Sequence, residues 1–247
     1  MAKSISRPLL WALAPAFLVT LAVSATYLLM PYDLPGTADM AKVKEERLPA
    51  LRADLTFKGM ELGSPVYLRI FKEESRLEAW VRSGDTYEPY KSWEICNYSG
   101  DLGPKLKEGD GQSPEGFYNV SAKQLNPNSN YHLSFNLGFP NAFDQSLGRT
   151  GSYLMVHGNC LSVGCYAMTN RNVEEIYLLV EAALQNGQDN VPVHIFPFEM
   201  TQENLSKHAD SNWQDFWRNL KQGYDLFEHH RRPPTVSAIQ GQYLFSI

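Results

Sequence analysis

A chain of 247 residues carries three cysteines, Cys96, Cys160 and Cys165, and no two of them form a Cys-x-x-Cys pair. The six histidines are dispersed and no His-Glu-x-x-His motif occurs; His229-His230 beside Arg231 reads as a solvated helix end. With neither ligand spacing present, no metal site is expected. A phosphate-cradling loop of the Gly-x-x-x-x-Gly-Lys type is missing, as is a Gly-x-Gly-x-x-Gly fingerprint. Neither a nucleotide nor a dinucleotide cofactor is therefore implied. Excess positive charge is lacking too: the net charge is -5, which leaves no electrostatic footprint for nucleic acid. There is no internal repeat and no low-complexity tract.

What is present is ordinary for a globular chain, 43% hydrophobic and 20% charged. One uncharged stretch stands apart. Residues 8–30 follow Lys3 and Arg7 and precede Asp33 and Asp39. At about 1.5 Å per residue such a run crosses a hydrocarbon core of roughly 30 Å. Signal peptides have a shorter apolar core, about 7–15 residues. The expectation is an uncleaved transmembrane anchor within residues 1–32, with cleavage near Ser24-Ala25-Thr26 as the alternative. The basic N-terminus belongs in the cytoplasm, so the rest faces outward. Residues 33–62 read as a linker; residues 38–55 could form a helix that Pro49 would break or restart.

From Ser64 onward the pattern has period two. Val66, Leu68 and Ile70 alternate with Tyr67, Arg69 and Phe71, as in a strand with one buried face. Residues 77–82 repeat the alternation, Ser83-Gly84-Asp85 supplies a turn, and residues 87–96 return. Residues 97–114 are a long loop, and such loops are often functional. Strands follow at 117–120 and 131–137, separated by an Asn/Pro turn at 126–130. Residues 153–157 form the next strand. After Cys165 the period becomes helical: Asn172 caps a helix with Val173, Ile176, Tyr177, Val180 and Leu184 on one face, and Gly187 stops it. Residues 191–195 form a strand on which His194 reads as structural. Trp213, Phe216, Trp217, Leu220 and Tyr224 then form a core-facing helical stripe. A strand or hairpin around Gln240-Gly241 ends the chain.

Chemistry concentrates in one stretch, Tyr153-Leu-Met-Val-His157-Gly-Asn-Cys160-Leu-Ser162-Val-Gly164-Cys165. A thiol is a weak nucleophile at its free pKa of about 8.5, and a nearby imidazole can take its proton. His157 and Cys165 are close enough to meet across one folded-back turn. Gly158 and Gly164 permit tight bending, and backbone N–H groups at Gly164 and Cys165 could form an oxyanion hole. The same pattern also reads as a buried cysteine at a strand–loop–helix junction with a core histidine beside it.

The block Ser162-Val163-Gly164-Cys165, with His157-Gly158 upstream, resembles the active-site signature of the L,D-transpeptidase catalytic domain (YkuD-like) family. The resemblance implies that Cys165 is the nucleophile and His157 the base. It implies that the Ser162 carbonyl orients His157 and that Val163, Gly164 and Cys165 supply the oxyanion N–H groups. Phe139, Asn141, Asp144 and Tyr166 become candidate substrate-binding residues, with Asp144 a second candidate to orient His157. Val163 and Ala167 stand where the broad family has His and Arg. Those departures agree with a YafK-type subgroup, which Ile95-Cys96-Asn-Tyr-Ser-Gly100, Leu102-Gly-Pro-Lys105, Ser113-Pro-Glu-Gly-Phe-Tyr118 and Gly138-Phe-Pro-Asn-Ala142 also resemble.

The implied fold is a β-rich α+β, L,D-transpeptidase-like sandwich with two or three helices, catalytic over residues 63–200 and extended by residues 201–247. The implied activity is cysteine-dependent acyl transfer on peptidoglycan stem peptides. The leading form is an amidase that releases a protein, such as a lipoprotein, linked to diaminopimelate. The alternatives are an L,D-transpeptidase and a silent wall-binding module. No cofactor is needed. The partners expected are peptidoglycan and the inner membrane, and the compartment is the periplasm. If Cys165 stays free, Cys96 and Cys160 are the natural disulfide pair; a Cys160–Cys165 redox pair is the rival.

Overall fold

A computed structural model describes residues 36–247. The expected anchor at residues 1–32 lies outside the described residues. Among the described residues no helix is long and apolar enough to cross a membrane. The chain begins with β1 (Gly36–Thr37), α1 (Met40–Phe57), β2 (Val66–Phe71), β3 (Arg76–Ser83), β4 (Thr86–Glu94) and β5 (Asn97–Tyr98). It continues with β6 (Gly116–Val120), β7 (Leu125–Asn126), β8 (Tyr131–His132), β9 (Ser134–Asn136), α2 (Ala142–Ser146), β10 (Met155–His157) and β11 (Tyr166–Ala167). It ends with α3 (Asn170–Gln185), β12 (Val191–Phe196), α4 (Gln202–Lys207), α5 (Gln214–His230), β13 (Thr235–Ile239) and β14 (Gln242–Ser246).

The result is a β-rich α+β fold with two five-stranded sheets, ordered β4-β3-β2-β12-β6 and β5-β11-β10-β9-β7. Helix α3 supplies Val173, Ile176, Tyr177 and Val180 to one hydrophobic cluster that contains buried residues of both sheets. Its apolar face follows the helical spacing read in the sequence, and Thr169 rather than Asn172 caps it. Gly187 follows the last turn with φ +98, the conformation expected of a stop glycine.

Five helices stand among the described residues where two or three were expected. Helix α4 begins where Thr201 with Glu203–Asn204 reads as a helix start, whereas α2 is an addition, and both are too short to show a 3.6-residue period. Each is fixed by a side-chain cap, Asn141 to the Asp144 N–H and Thr201 to the Asn204 N–H. Strand β2 also departs from expectation: it is buried on both faces, not one. The reason is α5, whose Phe227 joins Tyr67 and Trp80 in a second-face cluster. Arg69 is tolerated there because Glu78 and Glu228 neutralise it, at 2.8 and 2.6 Å. The aromatic stripe of α5 packs with Phe117, Phe196 and the β13–β14 hairpin. That approach is close enough that a Cβ on Gly223 would lie 2.5 Å from Phe245 and 2.7 Å from Phe117.

Within the stretch expected as a linker, α1 runs unbroken through Pro49. Three buried residues, Val43, Leu51 and Leu55, hold both halves against the core. Arg47 and Lys44 also pair with Glu174 and Glu181 of α3 at 2.5 and 2.8 Å. Docking on either side of the proline outweighs the one backbone hydrogen bond that it removes.

Candidate active site

Strand β10 pairs antiparallel with β9 and parallel with β11, with His157 opposite Ala167 and Val156 opposite Tyr166. Parallel neighbours usually need a crossover of about a dozen residues or more. Residues 158–165 close the connection in less by taking left-handed backbone at Asn159 (φ 71), Cys160 (φ 54) and Gly164 (φ 97). Hydrogen bonds pin the turn: Met168 N–H to His157 O at 2.7 Å, Cys160 N–H to Met168 O at 3.2 Å, and Asn159 N–H to Asn170 Oδ1 at 2.9 Å. The Cys96–Cys160 disulfide ties its apex to the start of β5, and Cys165 is the free thiol. Cys165 immediately precedes β11, whose Ala167 is the register partner of His157.

His157 is 2% exposed, with the Tyr131 ring 4.8 Å away. Its Nδ1 lies 2.6 Å from the Gly158 carbonyl. A carbonyl only accepts, so Nδ1 carries the proton and Nε2 is left as the acceptor. Burial pushes the imidazole below its ordinary value, with the Gly158 carbonyl opposing. Burial likewise pushes the Cys165 thiol up, opposed by the Met155 backbone and the Lys105 cation. The thiol donates to the Tyr153 carbonyl at 3.6 Å. Among the described residues no hydrogen bond joins Sγ to the imidazole. Both shifts favour the uncharged forms, a neutral thiol and a neutral imidazole.

The structure redistributes the supporting roles. The carbonyl that meets His157 is that of Gly158, not Ser162. Ser162 acts through its hydroxyl, which donates to Cys165 O at 2.7 Å, joined there by Ser113 Oγ at 3.0 Å. The Gly164 N–H is engaged by Ser99 Oγ at 2.5 Å, while the Val163 and Cys165 N–H groups meet no acceptor among the described residues. Tyr166 is fully buried with its hydroxyl on Pro114 O at 2.6 Å, so it presents nothing to a substrate. Asp144 is equally buried, bonded to Arg149 at 2.9 Å and Tyr118 at 3.1 Å, and does not orient His157. Asn141 caps α2 and donates to Phe117 O and Tyr243 Oη, both at 2.9 Å. Phe139 is a core residue, 6% exposed.

Lys105, which the sequence offers only as part of the Leu102–Lys105 motif, is 3% exposed and paired with Asp110. Tyr131 and Tyr153 carried no signal beyond the strand alternation. Among the described residues, no group of three or more His, Cys, Asp or Glu could hold a metal ion.

Residues 65–195 match the sequence profile of the L,D-transpeptidase catalytic domain, YkuD. A protein of Escherichia coli K12 named "Putative L,D-transpeptidase YafK" is 52% identical over 190 residues, 77% of each chain. Among solved structures, a point mutant of the helical cell shape determining protein Pgp2 of Campylobacter jejuni aligns at 21% identity and TM-score 0.44. That alignment covers 71% of this chain and 62%, under two thirds, of the other. Bd1075 of Bdellovibrio bacteriovorus aligns at 16% identity and TM-score 0.40, over 87% and 84% of the chains. Both structural likenesses are loose. The profile match and the 52% relative cover most of the region that builds the Cys165 turn: the chain belongs to the L,D-transpeptidase catalytic domain family.

Proposed function

We propose that this enzyme performs cysteine acyl transfer on peptidoglycan stem peptides, chiefly as an amidase that frees a protein linked to diaminopimelate. What supports the reading is the free Cys165 thiol immediately before β11, the parallel partner of the strand that carries His157, and the neutral His157 ring with its Nε2 unprotonated. As Sγ attacks the amide carbonyl, Nε2 takes the thiol proton. The Val163 and Cys165 N–H groups receive the oxyanion, and Gly164 joins them once Ser99 yields. Collapse breaks the C–N bond, and the imidazolium protonates the leaving amine. Water then attacks the thioester with His157 as base, releasing a carboxylic acid and restoring the thiol.

A second reading, L,D-transpeptidation, replaces water with an amine of another stem. The relative's name favours it. Against it, Ala167, where the broad family has Arg, is fully buried and offers no cation to a substrate carboxylate. Both reactions fit a periplasmic enzyme anchored in the inner membrane by residues 8–30 with its N-terminus in the cytoplasm.

The test is incubation of lipoprotein-linked sacculi with the wild type and with Cys165→Ala. Free lipoprotein from the wild type alone, without new 3-3 cross-links, supports the amidase. New cross-links select the transpeptidase. Binding that survives Cys165→Ala with no product from either protein defeats both.

A further inference from the structure

The residues that hold His157 reach well beyond its own turn. Gly158 accepts from Nδ1 through its carbonyl, and its N–H donates to Tyr131 O at 3.0 Å and Leu133 O at 3.2 Å. The same strand, β8, lays the Tyr131 ring 4.8 Å from the His157 ring. There is no slack in this contact. A Cβ on Gly158 would lie 3.0 Å from His132 Cβ, 3.0 Å from Tyr131 O and 2.6 Å from Asn170 Oδ1. A displacement of His132 therefore reaches the Gly158 peptide, and with it the imidazole.

Two further links hold β8 in place. Strand β1 pairs with it in parallel, Gly36 opposite Tyr131 and Thr37 opposite His132, and the Ala38 N–H donates to His132 O at 3.2 Å. His132 itself is held in left-handed backbone, φ 69, a conformation that persists only where neighbours impose it. Its Nε2 lies 2.7 Å from Glu174 Oε1, and the other oxygen of that buried carboxylate takes Arg47 Nε at 2.5 Å. Glu174 thus bridges α1, α3 and β8 with one carboxylate.

We infer that Glu174 is a positioning residue for His157, and that residues 36–57 belong to the catalytic unit through the Arg47–Glu174–His132 chain. The inference rests on His157 being the base. The carboxylate fixes β8, β8 fixes the Gly158 peptide, and that peptide fixes the tautomer and aim of the imidazole. None of these residues touches the substrate.

The test uses the full chain with Glu174→Gln, which keeps the side-chain size but weakens both links, and Arg47→Met, which cuts only the link to α1. Turnover is measured on lipoprotein-linked muropeptide, and the His157 ring nitrogens are followed by NMR, assigned with His157→Gln. A thermal melt reports the folded fraction. In Glu174→Gln, kcat should fall about tenfold or more while KM stays within about twofold, as for a misaimed but intact site. The His157 ring should lose its single Nδ1–H tautomer. Arg47→Met should move both readouts the same way by less, and it carries the test if Glu174→Gln fails to fold. Unchanged His157 ring signals in a folded variant overturn the inference, as does a loss of kcat that only follows the unfolded fraction. The ring signals need no turnover, so a wild type inactive on this substrate would refute the amidase reading alone.

Discussion

At the scale of single residues, Cys165 and His157 are tuned toward their uncharged forms by the same cause. Burial raises the thiol and lowers the imidazole. Alkylating agents react with the thiolate. Because burial holds the folded thiol above the ordinary value of a free cysteine, about 8.5, the rate of Cys165 carbamidomethylation should climb only at a pH above that value. Lys105→Met removes a cation that opposes the shift and should move the climb further into the alkaline range. A half-maximal rate below about pH 8.5, the value of a free cysteine, would contradict the neutral pair. The spacing of His157, two glycines and Cys165 within one stretch fits a buried strand–loop–helix junction as well as a nucleophile and base, and it is the resemblance to the family that assigns them those roles. The role of Ser162 was not legible, since spacing cannot tell whether a serine works through its carbonyl or its hydroxyl. Tyr166 and Asp144 looked like cleft residues from position alone; their burial follows from partners at Pro114, Tyr118 and Arg149.

At the scale of elements, residues 97–115 form little regular structure of their own, yet they carry Ser99 and Ser113 onto the Cys165 turn. Lys72, at the end of β2, holds this loop from beneath. Its Nζ donates to Asp101 O at 2.7 Å, to Gly103 O and Ser113 O at 3.1 Å, and to Glu115 Oε1 at 3.1 Å. Glu115 in turn accepts from Gly103 N–H at 2.6 Å and Trp217 Nε1 at 2.9 Å. Both charges are fully buried. Removing one partner of such a pair leaves an uncompensated charge, so Lys72→Met should cost about 3–5 kcal/mol. Lys72→Met with Glu115→Gln should recover part of that. Urea unfolding of the wild type, of Lys72→Met and Glu115→Gln singly, and of the double variant decides it; if the double change costs the sum of the single ones, the pair is not coupled. The sequence showed period-two strands here but not this anchor. Lys72 and Glu115 are 43 residues apart, and alternation reports the face of a strand, not which distant residue meets it. The same limit hid the second buried face of β2, which exists only because α5 folds across it.

At the scale of the whole molecule, the two five-stranded sheets are joined where the chain leaves β4 for β5, and Cys96 lies in that crossing. Its disulfide to Cys160 spans 64 residues and reaches the Cys165 turn. The bond restrains the turn at Cys160, and the Gly158 N–H restrains it at its start through Tyr131 O and Leu133 O. Closing a loop of this length restricts the unfolded chain by about 4 kcal/mol in the chain-entropy account. For a domain of this size each kcal/mol shifts Tm by roughly 2–4 °C. Cys96→Ser with Cys160→Ser should therefore melt on the order of 10 °C lower by calorimetry. Thiol labelling of the native wild type under denaturing conditions should find one reactive cysteine, rising to three after reduction. Three labelled thiols without reductant would remove the cross-link, and with it the restraint on one side of the turn. A double-serine variant with unchanged Tm would instead show that the bond forms but that the sheets already hold the crossing. Without the cross-link, the turn between β10 and β11 would be held by the Met168, Asn170, Ser99, Ser113 and Ser162 hydrogen bonds.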